Sequence, residues 1–231
     1  MYFDYTYILV IIGAIISFIA SANVKGTFRK YNGYTNVKGL TAEQVAQMIL
    51  HEAGIDDVRI DRIAGDLTDH YSPKEKVLRL SDSVYGSDSV AAIGVAAHEC
   101  GHAIQHQVGY GPLALRSFSV PIANIGSKLS WPVIILGIVL GYPVLADVGI
   151  ILFTFVVLFQ LITLPVEFNA SSRAIAILDE ENILEGGELT GAKKVLKAAA
   201  LTYVAALFTT ILQLIRVLLI ARGGSSRRRR F

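Results

Sequence analysis

Two histidines and a glutamate, His98, Glu99 and His102, stand in the run Val95-Ala-Ala-His-Glu-Cys-Gly-His-Ala-Ile-Gln-His106 as an H-E-x-x-H motif. Residues four apart on a helix share one face, stacked about 6 Å along the axis, so two imidazoles can aim at one point. That is what a zinc ion needs from two of its ligands. Glu99 is rotated by about 100°, where it reaches a water on the metal and can act as its general base. Cys100 points off the histidine face and reads as a small core residue. The half-motif His51-Glu52-Ala53-Gly54-Ile55 shows how easily such spacing arises, so a metal reading needs a third ligand from elsewhere in the chain.

The motif requires a helix, and its surroundings predict one. Ser87 and Ser89 are N-cap candidates, small and apolar helix formers run to Val108, and Gly109 is the stop. The rest of the chain is unusually apolar: 231 residues, 53% hydrophobic and 17% charged, which predicts a membrane protein with one modest polar domain. A single cysteine excludes an internal disulfide, and a net charge of +2 argues against a nucleic-acid partner. The basic run Arg227 to Arg230 flanks an apolar run, where an anionic lipid surface is the expected neighbour.

Four apolar runs are expected to cross: about 5–22, about 131–146 reaching back toward Pro121, about 148–166, and about 198–221. Ala20-Ser21-Ala22 resembles a signal cleavage site, but Asp4 and the lack of an early Lys or Arg favour a retained anchor. Between the first two runs, residues 41–53 read as an amphipathic helix with Thr41 and Gln44 as a capping pair and Gly54 as its end. Residues 58–63 and 77–80 alternate as half-buried strands, and residues 66–73 read as a loop or hairpin in which Asp69 and His70 are turn residues. A small sheet there would suit an extended peptide, which can pair with an edge strand. Pro143 and Asp147 are expected to mark the turn between the middle runs, and the acidic residues 179–188 a solvated loop. The expected domains are an anchor at 1–23, a surface domain with the motif helix at 24–116, a transmembrane hairpin at 117–166, a third-ligand helix and acidic loop at 167–197, a span at 198–222 and a basic tail at 223–231.

Two consecutive spans form a hairpin, so the chain re-emerges near residue 167 on the face that holds the motif helix. The first charged residue there is Glu167, with Pro165 just before it and a helical pattern continuing to about residue 178. Two histidines and one glutamate make the open, three-ligand zinc arrangement of a hydrolase, with water in the fourth position. His106 is the competitor, but it lies eight residues beyond His98, about 12 Å along a straight helix, too far to share one ion.

The stretches TDHYSP, VAAHECGHAIQH, FQLITLPVEFNASSRA and KAAALTYVAA resemble the YugP-type membrane zinc metallopeptidases over almost the whole chain. More distantly, the order of motif helix, membrane hairpin and E-x-x-A-x-x-x-A is similar to HtpX and the CAAX prenyl proteases. The resemblance implies a mainly α, multi-pass membrane protein with a gluzincin-like zinc-peptidase core and a small β-sheet at the membrane surface. It implies His98, His102 and Glu167 as ligands of one Zn2+ and Glu99 as the base. The distant families carry an Asp four residues after the ligand glutamate, and this chain has Ser171, so Asn169 or Ser171 is expected to orient a ligand histidine instead. His70, Arg173 and Tyr203 are candidate oxyanion donors. The expected partners are a peptide or membrane-protein substrate and the bilayer, and Lys/Arg placement predicts a cytoplasmic-facing site in the cell membrane. A non-catalytic zinc-binding membrane scaffold is the alternative, against which Glu99 argues, because a structural site needs no base.

Overall fold

The computed structural model describes residues 5–228, with side chains up to residue 221, so the end of the basic tail lies outside the described residues. Among the described residues the order is α1 (Tyr7–Asn32), α2 (Ala42–Glu52), β1 (Arg59–Ile63), β2 (His70–Ser72), β3 (Val77–Ser81), α3 (Val90–Gln107), α4 (Gly111–Leu140), α5 (Pro143–Glu180) and α6 (Gly186–Arg228). Helices α1, α4, α5 and α6 are each long and apolar enough to cross a membrane. The chain is a mainly helical, multi-pass membrane protein with one small sheet. It divides into two compact units, one of Met1–Ala20, Leu115–Leu164 and Thr202–Phe231, the other of Ser21–Ala114 and Pro165–Leu201.

The second unit holds the motif helix. Its core is built from α2, β3, α3, the last turns of α5 and the first of α6, with Ile49, Leu50, Leu78, Leu80, Ile93, Leu178 and Leu184 fully buried. Helix α2 begins as its sequence predicts, with Gln44 Oε1 accepting the Thr41 N–H at 2.9 Å. Helix α3 is capped by Ser89, whose hydroxyl accepts from Ala92 N–H at 3.1 Å, and it ends before Gly109, which takes a left-handed φ of +63°. The hairpin reading around residues 66–73 holds, with β2 pairing antiparallel to β3 at the edge of the sheet, whereas the alternating runs β1 and β3 pair in parallel. The cause is long-range: β3 slots between its two predecessors.

The acidic stretch is also more ordered than expected. Asp179 and Glu180 finish α5, Glu188 lies in the first turn of α6, and only a short turn separates them. Acidic side chains favour the N-terminal turn of a helix, so Glu188 supports the early start of α6. Pro165 is accommodated inside α5, which runs through Glu167 unbroken.

In the other unit, the turn between α4 and α5 falls at Gly141-Tyr142, with Gly141 at φ +71°, and Asp147 lies inside α5. Gly141 terminates α4 and Pro143 opens α5, the asymmetry that helix ends favour. Small residues let these helices meet: a Cβ on Gly137 would lie 2.4 Å from the Ala146 nitrogen. Ser17 and Thr209 hydroxyls meet at 3.0 Å, and the Arg216 guanidinium sits 4.4 Å over the Tyr7 ring.

Candidate metal centre

On α3, His98 and His102 stand one turn apart with ring centroids 4.8 Å from each other. Opposite them, α5 presents Glu167, almost fully buried. The helices approach closely because position 101 is glycine: a Cβ there would fall 2.6 Å from the Ala170 carbonyl oxygen. Glu167 Oε2 then lies 3.3 Å from His98 Nε2 and 3.6 Å from His102 Nε2. One ligand atom from each of the three residues falls within 4.8 Å of the others.

The two separations from Glu167 to the histidines fit a metal ion. Zinc bonds of about 2.0–2.2 Å at tetrahedral angles set neighbouring ligand atoms about 3.3–3.5 Å apart. The backs of both imidazoles are also held. His98 Nδ1 is 3.1 Å from Ser171 Oγ, and His102 Nδ1 is 3.0 Å from Gln105 Oε1. Gln105, wholly buried, spends its amide N–H groups on Val166 O at 2.8 Å and Asn169 Oδ1 at 3.0 Å. Its oxygen therefore faces His102, which must donate from Nδ1 and keep the Nε2 lone pair for a metal. Arg173 completes the chain by donating to Asn169 Oδ1 at 2.8 Å. Burial works against a charged His102, yet the Glu167 carboxylate, Glu99 and Gln105 outweigh it and raise the imidazole's pKa.

Glu99 is buried beside this group, and its Oε2 accepts the backbone N–H of Tyr71 at 3.0 Å. The edge strand β2 thus lies against the motif helix. Asp69 anchors the start of that strand, accepting from Ser81 N–H at 2.7 Å and Ser81 Oγ at 2.8 Å. Burial raises the Asp69 carboxyl's pKa, and the two Ser81 hydrogen bonds oppose that rise.

Of the other residues singled out in the sequence, Ser171 touches His98 directly, and Asn169 acts on His102 through Gln105. His106 is outside the His98–His102–Glu167 group, with Nδ1 3.0 Å from the Tyr71 hydroxyl. His70 Nδ1 donates to Thr68 O at 2.9 Å, Arg173 is engaged by Asn169, and Tyr203 belongs to the other unit. Cys100 is buried near Ala46, and burial pushes its thiol pKa up. Sequence reading missed Gln105 and Tyr71. Gln105 had a signal, since three residues after His102 is a neighbouring position on a helix; Tyr71 had only its place beside Asp69 and His70.

The chain matches, over residues 6–222, the family model described as "Putative neutral zinc metallopeptidase". It belongs to this family. It is also 46% identical over 209 residues to "Putative membrane protease YugP" of Bacillus subtilis (strain 168), covering 90% of this chain and 93% of that one. No solved structure matches the chain. Family membership and the His-His-Glu group bear on the same chemistry from independent directions.

Proposed function

We propose that the chain is a membrane-embedded zinc-dependent endopeptidase in which His98, His102 and Glu167 hold one zinc ion and Glu99 is the general base. The observation that carries this reading is the convergence of three ligand atoms within 4.8 Å, both imidazoles being fixed from behind. Zinc bound there would polarise the scissile carbonyl and bring the pKa of a water down to about 7. Glu99 gives one oxygen to the Tyr71 N–H and keeps the other for the attacking water. That oxygen takes the water's proton and passes it to the leaving amine as the C–N bond breaks. The substrate is a peptide or a membrane protein.

Glu99→Gln should retain zinc and lose peptide hydrolysis by about 10³-fold or more, measured on detergent-purified protein. Cleavage at the wild-type rate would contradict the mechanism.

The site is proposed to face the cytoplasm, with the N-terminus outside. Lys25, Arg29, Lys30, Lys38 and Arg116 lie in one segment proposed for the site's side, and Arg173, Lys193, Lys194 and Lys197 in the other. In a Cys100→Ala background, Ser72→Cys and Gly187→Cys should react with an impermeant maleimide only after lysis. Labelling in intact cells would reverse the orientation. Ser226→Cys, labelled in the same way, reports whether the last run crosses.

A further inference from the structure

We propose that Tyr71 and His106 form a positioning pair that holds Glu99 in its working orientation, an inference that rests on the peptidase reading. Helical geometry sets Glu99 and His106, seven residues apart, within about 20° around α3 and about 10.5 Å apart along it. Tyr71 spans that ridge. Its N–H donates to Glu99 Oε2 at 3.0 Å, and its hydroxyl lies 3.0 Å from His106 Nδ1, with the two ring centroids 6.0 Å apart. One residue of the sheet is thus fastened to the motif helix at two points, and one point is the proposed base.

The second fastening matters because β2 is weak alone. It has three residues and β3 as its single neighbour in the sheet, and short edge segments open first. A backbone N–H orients a carboxylate only if the backbone is itself held. Asp69 secures the near side of the strand through Ser81, and the phenol secures Tyr71 to α3. Burial, helped by the charge of Asp57, pushes the Tyr71 phenol pKa up, so the hydroxyl keeps its proton across the neutral range. The same bond accounts for His106, whose Nδ1 is turned to Tyr71 although the residue follows the metal-binding pair by one turn.

The test is a double-mutant cycle on full-length, zinc-loaded protein. Tyr71→Phe keeps the ring and the backbone N–H and removes the hydroxyl; His106→Ala removes its partner. Each should lower kcat about tenfold, with KM within about threefold and zinc content unchanged. The double variant should be no worse than either single one, because both break the same bond. His106→Gln, whose side chain can still meet the phenol, should recover part of the loss. Independently of turnover, amide exchange at Tyr71 should be slow in the wild type and faster in Tyr71→Phe, His106→Ala and Glu99→Ala. Wild-type kcat in Tyr71→Phe, or losses that multiply in the double variant, would overturn the pair. The two readings fail differently. A zinc-loaded wild type that cleaves no peptide contradicts the peptidase reading, whereas fast exchange at Tyr71 in that protein contradicts the pair whatever its activity.

Discussion

Both units of the molecule bring helices together over glycine, but closeness serves different ends in each. In the membrane-helix unit, a Cβ on Gly137 would lie 2.4 Å from the Ala146 nitrogen, and one on Gly149 would lie 2.6 Å from Ile134. The gain there is dispersion contact between apolar surfaces, which lipid tails cannot supply as densely. In the other unit, Gly101 lets α3 approach Ala170 just as closely. There the result is a set of polar addresses: Ser171 reaches His98, and Gln105 reaches Val166 and Asn169. A dispersion contact tolerates small shifts, whereas hydrogen bonds weaken steeply once distance and angle are lost. The same device is therefore more exacting at the site than in the membrane.

The site's two histidines should respond unequally when their supports are removed. Gln105→Ala strips a buried link that reaches His102, Val166 and Asn169 together, and should weaken zinc binding about 10–100-fold in a competition titration. Ser171→Ala removes one hydrogen bond to His98 and should cost about tenfold or less. Equal losses would mean that the buried amide adds nothing beyond its single contact with His102. A smaller effect separates the two units. Gly101→Ala and Gly137→Ala should each destabilise by about 1–3 kcal/mol through overpacking. Only Gly101→Ala should also weaken zinc binding. A matching zinc defect in Gly137→Ala would mean that the site depends on packing within the membrane-helix unit as much as on its own.

Features that depend on neighbouring residues were legible in the sequence. The capped helix bearing His98, Glu99 and His102 followed from Ser89, helical spacing and Gly109. Glu167 followed from hairpin topology, since a chain that crosses twice returns to the face it left. What depends on distant pairing was not legible. Nothing local to Val77–Ser81 says that β3 will insert between β1 and β2, because register and order are set across the whole sheet. The early start of α6 was hidden because Glu185 and Glu188 read as solvated when their place at a helix N-terminus is unknown. Gln105 lay within the motif run, yet its value comes from Val166 and Asn169, about sixty residues away in sequence.

Metal content tests the central claim most directly. Wild-type protein, Glu99→Gln, Glu167→Ala and His106→Ala are each dialysed against a weak chelator and assayed for zinc per chain. About one zinc should be retained by wild type, Glu99→Gln and His106→Ala, and none by Glu167→Ala, because three protein ligands are needed to hold a catalytic ion. Zinc retained by Glu167→Ala and lost from His106→Ala would contradict it.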